Sequence, residues 1–207
     1  MSARRLLHDR SAAGAAEFAM VLPLLILLLF GIIDAGRFMW EYNRAEKATQ
    51  VGARMAVVTN VIPGGLAAQS YLGNTAGGTA LTQGDLISRL ALGKIVCTNT
   101  ACCNPTTLCT TPYPALGTYD AATFTAIVTR MRYMKPDITA ANVRVEYSGS
   151  GLGYAGDPNG MDVSPLVTVR LTGVRFSSIA TLFFVNFTMP DTLTTLTAED
   201  SVGSQSN

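Results

Sequence analysis

Histidine is nearly absent from this 207-residue chain: the single one, His8, lies in the basic leader. Beyond that leader neither a Ser-His-Asp set nor a histidine-ligated zinc can be assembled, so the two commonest hydrolytic chemistries are not available to the rest of the sequence. Charge is also scarce. Charged residues make up 14% of the chain and the net charge is +1, which leaves no basic footprint for nucleic acid and no acidic surface for a cationic partner. No internal repeat is evident, and no cofactor motif stands out. The sequence therefore reads as a protein without an enzyme's equipment, with no cofactor and no nucleic-acid partner.

What is present begins at the N-terminus. Arg4, Arg5 and Arg10 precede a stretch from Ala12 to Ile33 in which Glu17 is the only ionisable residue. About 20 helical residues at 1.5 Å each cover the roughly 30 Å of a bilayer's hydrocarbon, so this stretch predicts one spanning helix. Arginines ahead of a span are retained on the cytoplasmic side. The expected organisation is a cytoplasmic basic leader over 1–12, a transmembrane and extended helix over 13–58, and an extracytoplasmic α+β domain over 59–207. Pro23 inside the apolar run is tolerated in a membrane helix, whose neighbours re-satisfy the freed backbone groups. Glu17 is the exception that calls for a partner, because a carboxylate inside the apolar region is costly unless it snorkels, is protonated or meets a positive charge.

Past the span, Asp34, Arg37, Glu41 and Arg44 alternate in sign at spacings of three and four, a ladder expected in headgroup or water. Phe38, Tyr42, Ala45, Thr49, Gly52 and Ala56 form an adjacent stripe, whose small members admit close approach either of the chain's own sheet or of another subunit's helix. Pro63-Gly64-Gly65 is expected to end the helix. Beyond it, Leu66 to Leu72, Thr82 to Leu92 and Asp120 to Met134 read as helices, the last with Asp120 as N-cap and Phe124, Ile127, Val128 and Met131 on one face. Val143 to Tyr147, Leu166 to Phe176 and Thr192 to Ala198 read as strands of an antiparallel sheet. Ser177 to Phe187 is too short to span a membrane and is expected in the core or as a docked turn.

All four cysteines, Cys97, Cys102, Cys103 and Cys109, fall in the window CTNTACCNPTTLC. An even count in an extracytoplasmic loop predicts disulfides, with three connectivities open and the bridge between adjacent Cys102 and Cys103 disfavoured by its geometry. A thiolate metal site is the weaker alternative, since no Cys-x-x-Cys knuckle is present. Asp157, Asn159 and Asp162 sit in a segment that reads first as a turn cluster, and their oxygens make it a calcium candidate. The surrounding loop from Ser148 to Pro165 carries five glycines and Tyr154, a composition of partner-touching or mobile loops.

The N-terminal segment resembles the TadE-like family of pilin-related proteins. The elements that carry the likeness are the basic leader, the small residues Ser11 to Ala16, Glu17-Phe18-Ala19, the run opening Val21-Leu22-Pro23 and the helix end Gly52-Ala53-Arg54. The resemblance implies a pilin-like architecture and a minor pseudopilin or assembly component of a tight-adherence (Tad, Flp-type) pilus and secretion system in the bacterial inner membrane. It implies pilin-like subunits and assembly machinery as partners, and processing by a prepilin peptidase between Ala12 and Ala13, with Ala12 in the place of the family's usual glycine. It also implies that Glu17, five residues after that bond, pairs with the free amine of a neighbouring subunit. The rival reading is a signal-anchored periplasmic binding or hydrolytic domain with a similar anchor.

Overall fold

The computed structural model describes residues 10–76, 78–158, 160–179 and 187–198, and for residues 10–13 the backbone alone. Its dominant element is helix α1, Arg10–Val57, which carries Pro23 without interruption. At 1.5 Å per residue its 48 residues run about 72 Å, more than twice a bilayer's hydrocarbon. α2 (Gly64–Ala67) is a single turn, and α3 (Ala121–Arg132) packs within the domain that follows. The strands are β1 (Lys94–Cys97), β2 (Val143–Ser148), β3 (Leu166–Leu171), β4 (Arg175–Phe176), β5 (Phe187–Thr188) and β6 (Thr192–Thr197). The fold is α+β: a long N-terminal apolar helix followed by an antiparallel sheet domain.

Two compact units divide the chain, one formed by residues up to Tyr42 with Arg175–Thr188, the other by Asn43–Val174 with the residues from Met189 on. The larger unit is built on a four-stranded sheet of order β1-β2-β3-β6, antiparallel throughout. Alternation along β2 buries Val143, Val145 and Tyr147, and along β3 Val167, Val169 and Leu171, with Val145 opposite Val169 and Tyr147 opposite Val167. On the other face Glu146 accepts from Arg170 Nε at 2.8 Å, and the Thr168 and Thr195 hydroxyls meet at 2.7 Å.

The outer part of α1 lies against this sheet. Ala45, Ala48, Thr49, Ala53 and Ala56 are buried, the Thr49 hydroxyl meets that of Thr194 at 3.0 Å, and a Cβ placed on Gly52 would stand 2.7 Å from Met131 and 3.2 Å from Val169. The small-residue stripe from Ala45 to Ala56 is therefore occupied by the chain's own sheet and by α3. Helix α3 presents Phe124, Ile127, Val128 and Met131 to the same core. Its N-cap is Asp120, whose carboxylate accepts from the Thr123 amide at 2.9 Å and hydroxyl at 2.8 Å. Those bonds, the amide first, hold its pKa below the usual carboxylate value.

Three sequence expectations are corrected. Leu66 to Leu72 is not a helix: α2 stops at Ala67, and Pro63-Gly64-Gly65 opens this turn instead of closing α1, which already ends at Val57. The Gly64 and Gly65 amides donate to the Thr118 and Leu116 carbonyls, and the Tyr71 amide donates to Asp162, so the backbone donors go across the fold. Thr82 to Leu92 fails for the same reason. Thr82 bonds Asp85, Gly84 takes φ +85°, and the Gly84 and Ile87 amides donate to Ala155 and Gly153, leaving one 3-10 turn at Arg89–Ala91. Leu166 to Phe176 is two strands, because Gly173 at φ +65° turns the chain and Arg175–Phe176 pairs with Phe187–Thr188 in a separate hairpin. Of Ser177 to Phe187, residues 180–186 lie outside the described residues.

The cysteine window forms two local bridges, Cys97–Cys102 and Cys103–Cys109. Cys97 closes β1, a strand the sequence did not announce, and the loop returns so that Thr110 exchanges backbone bonds with Lys94 at 2.9 Å each way.

Two measurements follow. Gly65 faces the Ala115 carbonyl so closely that an added Cβ would overlap it, whereas nothing lies within 4 Å of Gly160. Gly65→Ala should cost about 1–3 kcal/mol in denaturant unfolding of the detergent-solubilised chain, and Gly160→Ala less than about 0.5 kcal/mol. Non-reducing peptide mapping of protein from its native compartment should return the 97–102 and 103–109 pairs and no alkylatable thiol; four free thiols would contradict the structure.

Candidate functional site

Two places in the smaller unit hold the chemistry of interest, and both lie on α1. The first is the apolar stretch around Glu17. Within Gly14–Val57 the most apolar 18-residue window has none of its residues buried, which makes α1 long and apolar enough to cross a membrane. Phe18, Met20, Leu24 and Leu27 are each more than 60% exposed, an arrangement suited to acyl chains and not to water. Glu17 stands exposed among them, with no hydrogen bond or ion pair to it among the described residues. The Ala12–Ala13 peptide lies in the first turn of α1, which begins at Arg10, within the span assigned from sequence to the leader. Arg4, Arg5 and His8 lie outside the described residues.

The second place is the end of the apolar run. Asp34 was expected in headgroup or water, but it is only 8% exposed. Its carboxylate accepts from the Ile179 amide at 2.8 Å, from the Ser178 hydroxyl, and from Arg37 Nη1 at 3.2 Å. One turn on, Phe38 meets Phe176 edge-on and Phe187 at a tilt, both with ring centroids 5.5 Å apart, while the Arg37 guanidinium lies 5.7 Å from the centre of the Phe176 ring. The β4–β5 hairpin is thus fastened to α1 by one acid and one aromatic cluster, each ring pair adding about 0.5–1.5 kcal/mol beyond its area. Of the sequence ladder, Asp34 and Arg37 form this pair, whereas Arg44 turns its Nε to the Met134 carbonyl at 3.0 Å. Phe38 had been placed on the small-residue stripe; the sequence offered no sign that its partners come from residues 176 and 187.

The acidic turn in the larger unit is put to structural use. Asp162 is buried and its carboxylate accepts from three amides: Tyr71 at 2.7 Å, Gly156 at 3.0 Å and Asp157 at 3.1 Å. Asn159 lies outside the described residues. Among the described residues no cluster of three or more His, Cys, Asp or Glu side chains is placed to hold a metal ion. Several described residues of the Ser148 to Pro165 loop make hydrogen bonds. The Ser150 hydroxyl donates to the Ser164 carbonyl, Ser164 N to the Leu152 carbonyl at 3.1 Å, and Ala155 N to the Asp85 carbonyl at 2.9 Å. Tyr71, buried beside this turn, has its pKa pushed up to about 12, by desolvation first and by the Asp162 charge second.

No curated protein and no solved structure matches the chain. A family model does match, that of the TadE-like protein, and it covers residues 12–54. Those residues take in Glu17, the whole exposed apolar window, the Asp34–Arg37 pair and the buried small residues to Ala53. The match is thus confined to α1, whose residues 12–54 are similar to the TadE-like protein, and it does not extend to the sheet domain that follows.

Proposed function

We propose that this protein is a membrane-anchored minor pseudopilin or assembly component of a Tad/Flp-type pilus and secretion system. The observation that carries the reading is α1 itself. One helix, matched by the TadE-like family over 43 residues from 12 to 54, joins a wholly unburied apolar stretch to a small-residue stripe buried against a sheet. An apolar helix face open to the outside needs lipid or the like surfaces of other subunits. A protein that acts by holding such a helix in place needs no reaction chemistry of its own, and the reading is of a non-enzymatic component.

In this reading the helix crosses the bacterial inner membrane once, with the basic leader in the cytoplasm and the domain from residue 59 on outside it. The arginines ahead of the span support that orientation, and the two disulfides suit an oxidising compartment. A prepilin peptidase cutting between Ala12 and Ala13 would free the amine of Ala13 and leave Glu17 as the fifth residue of the mature chain. A neighbouring subunit's amine and the Glu17 carboxylate would then offset each other's desolvation where either alone is costly. The exposure of Glu17 on α1 supports this role, since an intersubunit partner can reach it.

The test is Glu17→Gln beside wild type. The neutral amide should leave membrane insertion intact, because it is cheaper to place among acyl chains than a carboxylate. Recovery of pilin-like partners by co-purification should fall on the order of tenfold or more, as expected when a buried ion pair loses one member. N-terminal sequencing of the mature wild-type chain should begin at Ala13. Undiminished partners together with an intact leader would favour a signal-anchored periplasmic domain instead.

A further inference from the structure

The hairpin β4–β5 is held at one particular height on α1. Ile179 donates its amide to Asp34, the first residue after the apolar run that ends at Ile33, and Phe176 and Phe187 close on Phe38 one turn later. A bilayer that covers α1 as far as Ile33 has its boundary at Asp34, and whatever is bonded to Asp34 lies at that same depth. We infer that the described residues of the β4–β5 hairpin, 175–179 and 187–188, form a second membrane-contacting element, seated at the boundary between acyl chains and headgroups. This inference rests on α1 crossing a membrane.

The chemistry of the surface fits a lipid boundary. Ile179 is 44% and Phe187 41% exposed, and on α1 Met39 is 58% and Trp40 67% exposed, so apolar surface is presented both on the helix past the end of the span and on the hairpin. The polar groups that would make such a seat costly satisfy one another: the Asp34 carboxylate takes the Ile179 amide, the Ser178 hydroxyl and Arg37. Arg37 and Arg175 are the cations at this level, with Arg175 exposed and Arg37 44% exposed at its side chain, and both reach headgroup phosphates by extending from an apolar base. An exposed tryptophan two turns beyond the end of a span is at home in the interfacial zone. Asp34 thereby has a role that a spanning helix alone does not require: it fixes the hairpin to the membrane boundary.

Trp40 is the chain's only tryptophan, which makes the test direct. The full chain is reconstituted in phosphatidylcholine–phosphatidylglycerol vesicles containing lipids brominated at the headgroup end of the acyl chain. Native Trp40 is read first; single-tryptophan reporters Ile179→Trp, Phe187→Trp, Ile26→Trp and Leu86→Trp are then made in a Trp40→Phe background. Leu86 is as exposed as the hairpin residues, at 58%, but belongs to the other unit. The Ile179→Trp and Phe187→Trp reporters should lose most of their emission to brominated lipid and little to aqueous iodide, while Leu86→Trp shows the reverse. Quenching of both hairpin reporters by iodide alone, or their protection from both quenchers as under a second protein, would overturn the inference. Ile26→Trp separates the two failures: if it too escapes the brominated lipid, α1 does not span the membrane, whereas if it alone is quenched, only the hairpin seat is wrong.

Discussion

The exposed apolar surface of α1 is the constraint on which the rest depends. From Gly14 to Ile33 leucine, isoleucine, phenylalanine and methionine side chains face outward, and at about 25 cal/mol per Å² that unburied apolar area is costly in water. In the proposed reading lipid relieves that cost, and the other features then take their places. Pro23 is tolerable, Glu17 becomes the one group in need of a partner, and Asp34 becomes the place where polar chemistry resumes.

The outer part of the same helix obeys a different rule. Ala45, Ala48, Ala53 and Ala56 contribute little apolar area each, but they let backbone approach backbone, and Gly52 leaves room for Met131 and Val169. One helix thus changes surroundings along its length, from an unburied apolar stretch to a protein core. The two bridges at Cys97–Cys102 and Cys103–Cys109 then order a segment that has too little apolar surface to fold on packing alone.

Elements ruled by periodicity were legible in the sequence. The apolar run gave α1, the strict alternation of Val143 to Tyr147 gave β2, and Asp120 announced α3 by its capping chemistry. Elements ruled by distant backbone approach were not. Gly64-Gly65 looks like a helix stop from its composition, whereas its use is to let the chain pass against Ala115 and Leu116, about 50 residues away, and nothing local records that. Asp34 shows the same limit at the candidate site. Its spacing with Arg37 was visible, but its burial under Ser178 and Ile179 depends on a contact spanning 145 residues. Nothing local to Asp162 announces that its carboxylate accepts the Tyr71 amide, 91 residues away.

Whether α1 spans the membrane with its N-terminus inside is read by a dual reporter fused after Asn207. Alkaline phosphatase, which is active only after export, should be active at that position, and a green fluorescent protein that folds only in the cytoplasm should be dark. A fluorescent, phosphatase-negative fusion in the membrane fraction would reverse the orientation, and a soluble fusion would remove the anchor on which the account rests.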